Sequence, residues 1–152
     1  MNFVHKLLAP AVALVLSFSA FAGDRGTPDE AKAMLVKAVA LVKASGKDKA
    51  MAQFMDKQGG FIDRDLYVSV IDMTGKTTAN GGNPRLVGKD NIKYQDADGK
   101  FIVKERVDIA KAKGRGTQEY RSVNPVTKEI ETKLVFFEKM DELIVAVGSF
   151  KP

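Results

Sequence analysis

The period of apolar and polar positions changes once along the chain, from a helical spacing to an alternating one. Ala31, Met34, Leu35, Ala38, Leu41 and Val42 recur at three- and four-residue intervals, which places them on one face of an α-helix. Thr27-Pro28-Asp29-Glu30 stands before that stripe. It offers a Thr N-cap, a Pro at the first helical position and a Glu placed to return the capping hydrogen bond. Gly46 follows where a helix C-terminus is expected, so the pattern predicts a helix from Thr27 to about Ser45. Met51, Phe54 and Met55 share one face of a second, shorter helix predicted over about Asp48 to Lys57 and ended by Gly59-Gly60. A Met and Phe stripe of this kind is core.

From Leu66 the apolar period is two. Leu66, Val68 and Val70 alternate with Tyr67, Ser69 and Ile71, a strand with one face buried. Asp72-Met73-Thr74-Gly75-Lys76 is rich in turn formers, and Lys76 to Asn80 returns as a second strand. Gly81 opens a long loop that reaches about Asp96, and Asp96-Ala97-Asp98-Gly99 makes a further turn. A helix of about Phe101 to Lys113, closed by Gly114, precedes three strands at Thr117 to Ser122, Ile130 to Glu138 and Leu143 to Phe150. The order α-α-β-β-α-β-β-β predicts an α+β fold: an antiparallel sheet of about five strands, a long N-terminal helix packed against it, and the helices on one side. With no repeat or low-complexity tract, the chain reads as one domain.

Composition narrows the chemistry. The 152 residues contain no Cys, no Trp and a single His, which excludes disulfides, thiolate nucleophiles and thiolate metal sites. That histidine, His5, lies in an N-terminal segment with the features of a secretory signal. Lys6 is basic, Leu7 to Leu16 is an apolar run too short to span a bilayer, and Ala20-Phe21-Ala22 is a small-x-small cleavage pattern. Residues 1–22 are therefore expected to be a signal peptide cleaved after Ala22, leaving 23–152 as a periplasmic domain not anchored in the membrane. Without Cys or His, no Ser-His-Asp set can form, and no Gly-rich phosphate loop or S-x-x-K pattern is present. An enzyme is not expected, and no cofactor.

The net charge of +5 is spread singly along the chain. The densest basic run, Lys104, Arg106, Lys111, Lys113 and Arg115, spans the last predicted helix and its C-terminus, where cations suit the helix dipole. No nucleic-acid surface is expected. Asp96, Asp98, Gly99 and Glu105 fall on later positions of a calcium loop, but its first position is Tyr94, which has no carboxylate. A plain turn is the expectation there, and no metal site. Lys133 with Tyr67 and Tyr120 can form a cationic, hydrogen-bonding pocket if all three point to the same face of the sheet.

The words of the second half, taken in order, resemble the single Cache domain, a PAS-like extracytoplasmic sensor module of bacterial receptors. They are Gly60-Phe61, Asp65-Leu66-Tyr67-Val68, Asp72-Met73-Thr74-Gly75, Ala79-Asn80-Gly81, Asn83-Pro84-Arg85-Leu86-Val87-Gly88-Lys89-Asp90, Asp98-Gly99-Lys100, Asn124-Pro125-Val126-Thr127, Lys133 and Val147-Gly148-Ser149-Phe150. The resemblance covers about Phe54 to Phe150. It implies a long helix on a curved antiparallel sheet and a pocket for a small organic ligand, often a carboxylate or an amine, lined by Tyr67, Asn80, Tyr120 and Lys133. Asn80 stands where the family usually has His, Thr117 and Ser122 where it often has Trp, and Phe136 where it often has Tyr. These departures imply a wetter pocket that suits a polar ligand, with little pH dependence of binding between about 5.5 and 8. Lys133 is the expected anchor. Its replacement by Met is expected to weaken carboxylate binding by about 1.5–3 kcal/mol. The function implied is sensing, or presentation of the ligand to a membrane receptor or kinase. The alternative is an envelope interaction module without a small ligand.

Overall fold

The computed structural model describes residues 25–151; the segment expected to be a signal peptide, with its expected cleavage point, lies outside the described residues. Helix α1 (Pro28–Ser45) starts at the capping box: Thr27 Oγ1 accepts from the Glu30 amide at 3.2 Å, and Glu30 Oε2 accepts from the Thr27 amide at 2.7 Å. Helix α2 (Lys47–Met55) follows directly after Gly46. The strands are β1 (Ile62–Asp63), β2 (Leu66–Asp72), β3 (Thr77–Asn80), β4 (Arg115–Val123), β5 (Ile130–Met140) and β6 (Leu143–Phe150), with α3 (Ile102–Lys113) between β3 and β4. Gly114 closes α3 in the left-handed conformation, with φ 73°. A short 3-10 helix, Pro84–Leu86, interrupts the long loop. Asp96 anchors the end of that loop by accepting from the amides of Asp98, Lys100 and Arg121, so the turn before α3 is satisfied by protein donors. Among the described residues no cluster of acidic or His side chains is placed to hold a metal.

All pairings are antiparallel, in the order β1-β2-β6-β5-β4 with β3 on the outer edge of β2. The sheet has six strands, the extra one being the two-residue β1. The last strand in sequence is the central strand in space.

The helices cover both faces, which corrects the expectation of helices on one side. Leu35, Ala38 and Val39 of α1 and Phe54 of α2 pack on Val68, Val70, Val145 and Val147. Ile102, Val103, Val107 and Ala110 of α3 pack on the opposite face, against Ile71, Val135, Phe137, Ile144 and Ala146. The reason is visible in β6, whose Ile144-Val145-Ala146-Val147 run is buried at every position. An uninterrupted apolar run marks a strand covered on both sides.

A buried polar hub pins the approach to α1. The Gly26 amide donates to Asp65 Oδ1 at 2.6 Å, and the Arg25 guanidinium grips Glu131 with two bonds at 2.5 and 2.8 Å. Asn124, fully buried, donates to both Asp65 and Glu131 and accepts from Val126 and Thr127, which shapes the β4–β5 turn.

Candidate functional site

Strand register decides which side chains meet. Lys133 pairs with Tyr120 on β4 and with Phe150 on β6, while Ser69 pairs with Asn80 on β3 and with Ala146 on β6. Side chains alternate along a strand, so Tyr67, Ser69, Asn80, Tyr120 and Lys133 all lie on the face that carries α3. Between that face, α3 and the loop after β3 is a cavity of about 320 Å³. Tyr67, Asn80 and Tyr120 line it, together with Ser69, Thr77 and Ser122.

Two cations line the cavity: Arg106 of α3, which is buried, and Lys128 at the β4–β5 turn, which is exposed. Arg106 is 4% exposed, donates from Nε to Gln118 Oε1 at 3.2 Å and from Nη2 to the Tyr120 hydroxyl at 3.3 Å, and has no carboxylate within ion-pair distance among the described residues. Its partners are neutral. The ring faces of Tyr120 and Phe137, 5.7 and 6.0 Å from the guanidinium carbon, offset part of the charge, but the group retains unspent donors and has no ion-pair partner. The preceding residue, Glu105, is engaged by Lys100 and Gln118.

Lys133 is 3% exposed and lies beside the cavity, behind Tyr67, instead of on its wall. Its side chain runs across β6 at Gly148, where a Cβ would come within 2.7 Å of Lys133 Cε. The nitrogen then rests 3.7 Å from the centre of the Tyr67 ring and 4.8 Å from that of Phe150. Burial drives the Lys133 pKa well below the usual lysine value; Arg106 pushes the same way and Asp65 opposes. Burial raises the Tyr67 phenol, with a further contribution from Tyr120, so its hydroxyl stays protonated and can donate.

Asn80 has a fixed orientation. Its Oδ1 accepts from the amides of Gly82 at 3.1 Å and Asn83 at 2.8 Å. Thr77 Oγ1 accepts from Asn91 Nδ2 at 2.8 Å. Among the described residues no Asp or Glu lines the cavity; its charged neighbours are Arg106 and, at the β4–β5 turn, Lys128.

Arg106 was missed in the sequence because it sat in a run that suits the C-terminal half of a solvated helix. A signal was present nonetheless. Arg106 falls between Ile102 and Ala110 at four-residue intervals and is flanked by Val103 and Val107, so it occupies the apolar stripe of α3.

A six-stranded antiparallel sheet with a long N-terminal helix on one face and a small cavity on the other is the architecture of a PAS-like sensor domain. The chain belongs to the family described as single Cache domain 2, which matches residues 24–150. Cache domains are extracytoplasmic sensory modules. The fold is similar to that of a methyl-accepting chemotaxis protein from Vibrio parahaemolyticus, at TM-score 0.70 and 21% identity over 80% of this chain and 86% of that one. A structure entitled a structural basis for carboxylic acid recognition by a Cache chemosensory domain is similar at TM-score 0.63 and 22% identity, over 82% and 88%. A periplasmic sensor domain of a chemotaxis protein follows at TM-score 0.60 and 21% identity, over 82% and 90%. No curated protein sequence matches the chain.

Proposed function

We propose that the cavity binds a small organic carboxylate and that the domain is an exported, periplasmic module that reports this ligand to a membrane receptor or kinase. One observation carries the reading: Arg106 is a buried cavity-wall guanidinium with neutral partners and no counter-charge. A carboxylate supplies the missing charge and accepts the remaining N–H donors. Tyr120 donates beside it, since its oxygen already accepts from Arg106 and its own O–H is left over. Tyr67 and Asn80 also line the cavity, and Lys133 supports Tyr67 from behind. The carboxylate is favoured over an amine because, among the described residues, no acidic side chain borders the cavity to pair with a cation. The carboxylic acid recognition named for one structural neighbour supports the same choice.

The test is calorimetric titration of the folded domain with short-chain carboxylates, beside Arg106→Met. That variant keeps most of the apolar stem and removes the charge. Carboxylate affinity is expected to fall by about 1.5–3 kcal/mol, the range for a hydrogen bond to a charged group, with the far-ultraviolet circular dichroism unchanged. Unchanged affinity in a folded variant overturns the reading.

A further inference from the structure

Resting on the carboxylate reading above, we propose that the cavity selects acids carrying a second oxygen acceptor and rejects their amino-substituted counterparts, with Asn80 as the specificity-determining residue. An asparagine amide can present either its oxygen or its nitrogen, and here two backbone amides settle which. Gly82 and Asn83 both donate to Oδ1, so Nδ2, which cannot accept, is the end left for a ligand. Asn80 lines the cavity and is 9% exposed, and its Nδ2 has no hydrogen-bond partner among the described residues. No buried side-chain polar atom among the described residues lacks a partner, so Nδ2 is still accessible from the cavity. A ligand that closes it off must supply an acceptor, because a donor buried without one is costly.

Neighbouring groups have the same polarity. Thr77, 4% exposed, accepts from Asn91 Nδ2, and its O–H remains to donate. Tyr120 is likewise committed as an acceptor to Arg106. The wall therefore offers donors from Arg106, Tyr120, Thr77 and Asn80. A carbonyl or carboxylate oxygen on the ligand satisfies such a wall. An ammonium brings three more donors and a positive charge, and meets Arg106 with no carboxylate to offset it. Discrimination against a group that leaves buried donors unpaired is characteristically large.

The experiment is calorimetric titration of the wild-type domain with matched acids: pyruvate, propionate and alanine, then 2-oxoglutarate, glutarate and glutamate. In the chain length that binds, the oxo acid is expected to bind at least tenfold tighter than the amino acid. Equal binding of the two overturns the proposal while leaving the carboxylate reading in place; binding by no acid of either length removes both. Asn80→Asp then tests the assigned residue. Aspartate keeps an oxygen for the Gly82 and Asn83 amides and turns the donor that faces the cavity into an acceptor. The preference for oxo over amino acid is expected to shrink at least tenfold in this variant, and an unchanged preference shows that Asn80 is not the determinant. Should that variant fail to fold, the wild-type oxo-to-amino ratio still decides the selectivity, and Asn80→Ser, which keeps an oxygen and removes the amide donor, tests the residue by the same ratio.

Discussion

Tyr67 is held in place by two glycines that leave room for their neighbours. A Cβ at Gly82 would come within 2.5 Å of the Tyr67 ring, and one at Gly148 would strike the Lys133 stem that crosses beneath it. The sheet thus trades two side chains for one aromatic ring and one buried lysine. The ring faces of Tyr67 and Phe150 offset part of the cost of placing a cation there, but burial still favours the neutral amine. The unfolded chain therefore binds more protons than the native one between the lowered native value and the ordinary lysine value, and stability from this residue rises with pH across that window. Comparison of melting temperatures between about pH 8 and 10 is expected to show the wild type gaining on Lys133→Met as pH rises; parallel curves would refute a buried, destabilised ammonium. Because Lys133 reaches the cavity only through Tyr67, its removal is expected to weaken carboxylate binding less than Arg106→Met does. The sequence identified Tyr67, Asn80, Tyr120 and Lys133 as candidates. It did not reveal which buried cation lines the wall, because that depends on Gly148 letting Lys133 lie flat and on α3 turning Arg106 inward.

Elements whose ends are written in adjacent residues were legible. The α1 start follows from Thr27 and Glu30, three residues apart, and needs no other part of the fold. Thr27→Ala removes one arm of the capping box and is expected to cost about 1 kcal/mol in denaturant unfolding, with the slope unchanged. A cost near zero would mean that the Gly26 and Arg25 contacts hold the helix start without the cap. The end of α3 at Gly114 was legible for the same reason. Strand β1 was not, because two residues carry no periodicity and their pairing, Ile62 with Tyr67 and Asp63 with Leu66, is made by a tight turn around Arg64 at φ 56°. After β3 the sequence pattern predicts only a long loop. Its 3-10 turn is set by Asn83 accepting from the Arg85 amide ahead of Pro84.

Across the whole molecule, the hub of Arg25, Asp65, Asn124 and Glu131 joins the entry to α1, the start of β2 and the β4–β5 turn, and the last two border the cavity. The hydrogen bond from Arg25 lowers the Glu131 carboxyl to about 2, against an opposing effect of burial. A carboxyl with a lowered native pKa stabilises the fold above its unfolded value and loses that contribution as pH falls through the native one. The window is from 4.5 down to about 2. In an acid titration followed by melting temperature, Glu131→Gln is expected to be less stable than wild type at neutral pH, with the gap closing over that window; a gap independent of pH would show that the Arg25 pairing contributes nothing. By itself the sequence determined the secondary-structure order, the antiparallel α+β class, the core faces of α1 and β2, and the Cache resemblance, because periodicity, caps and turn residues act between near neighbours in the chain. Tertiary structure alone decided that β6 lies between β2 and β5, that helices cover both faces, and that Arg106 rather than Lys133 borders the cavity. Each of those depends on which strands pair and in what register, and register joins residues as far apart as Val68 and Val147, beyond the reach of any local pattern.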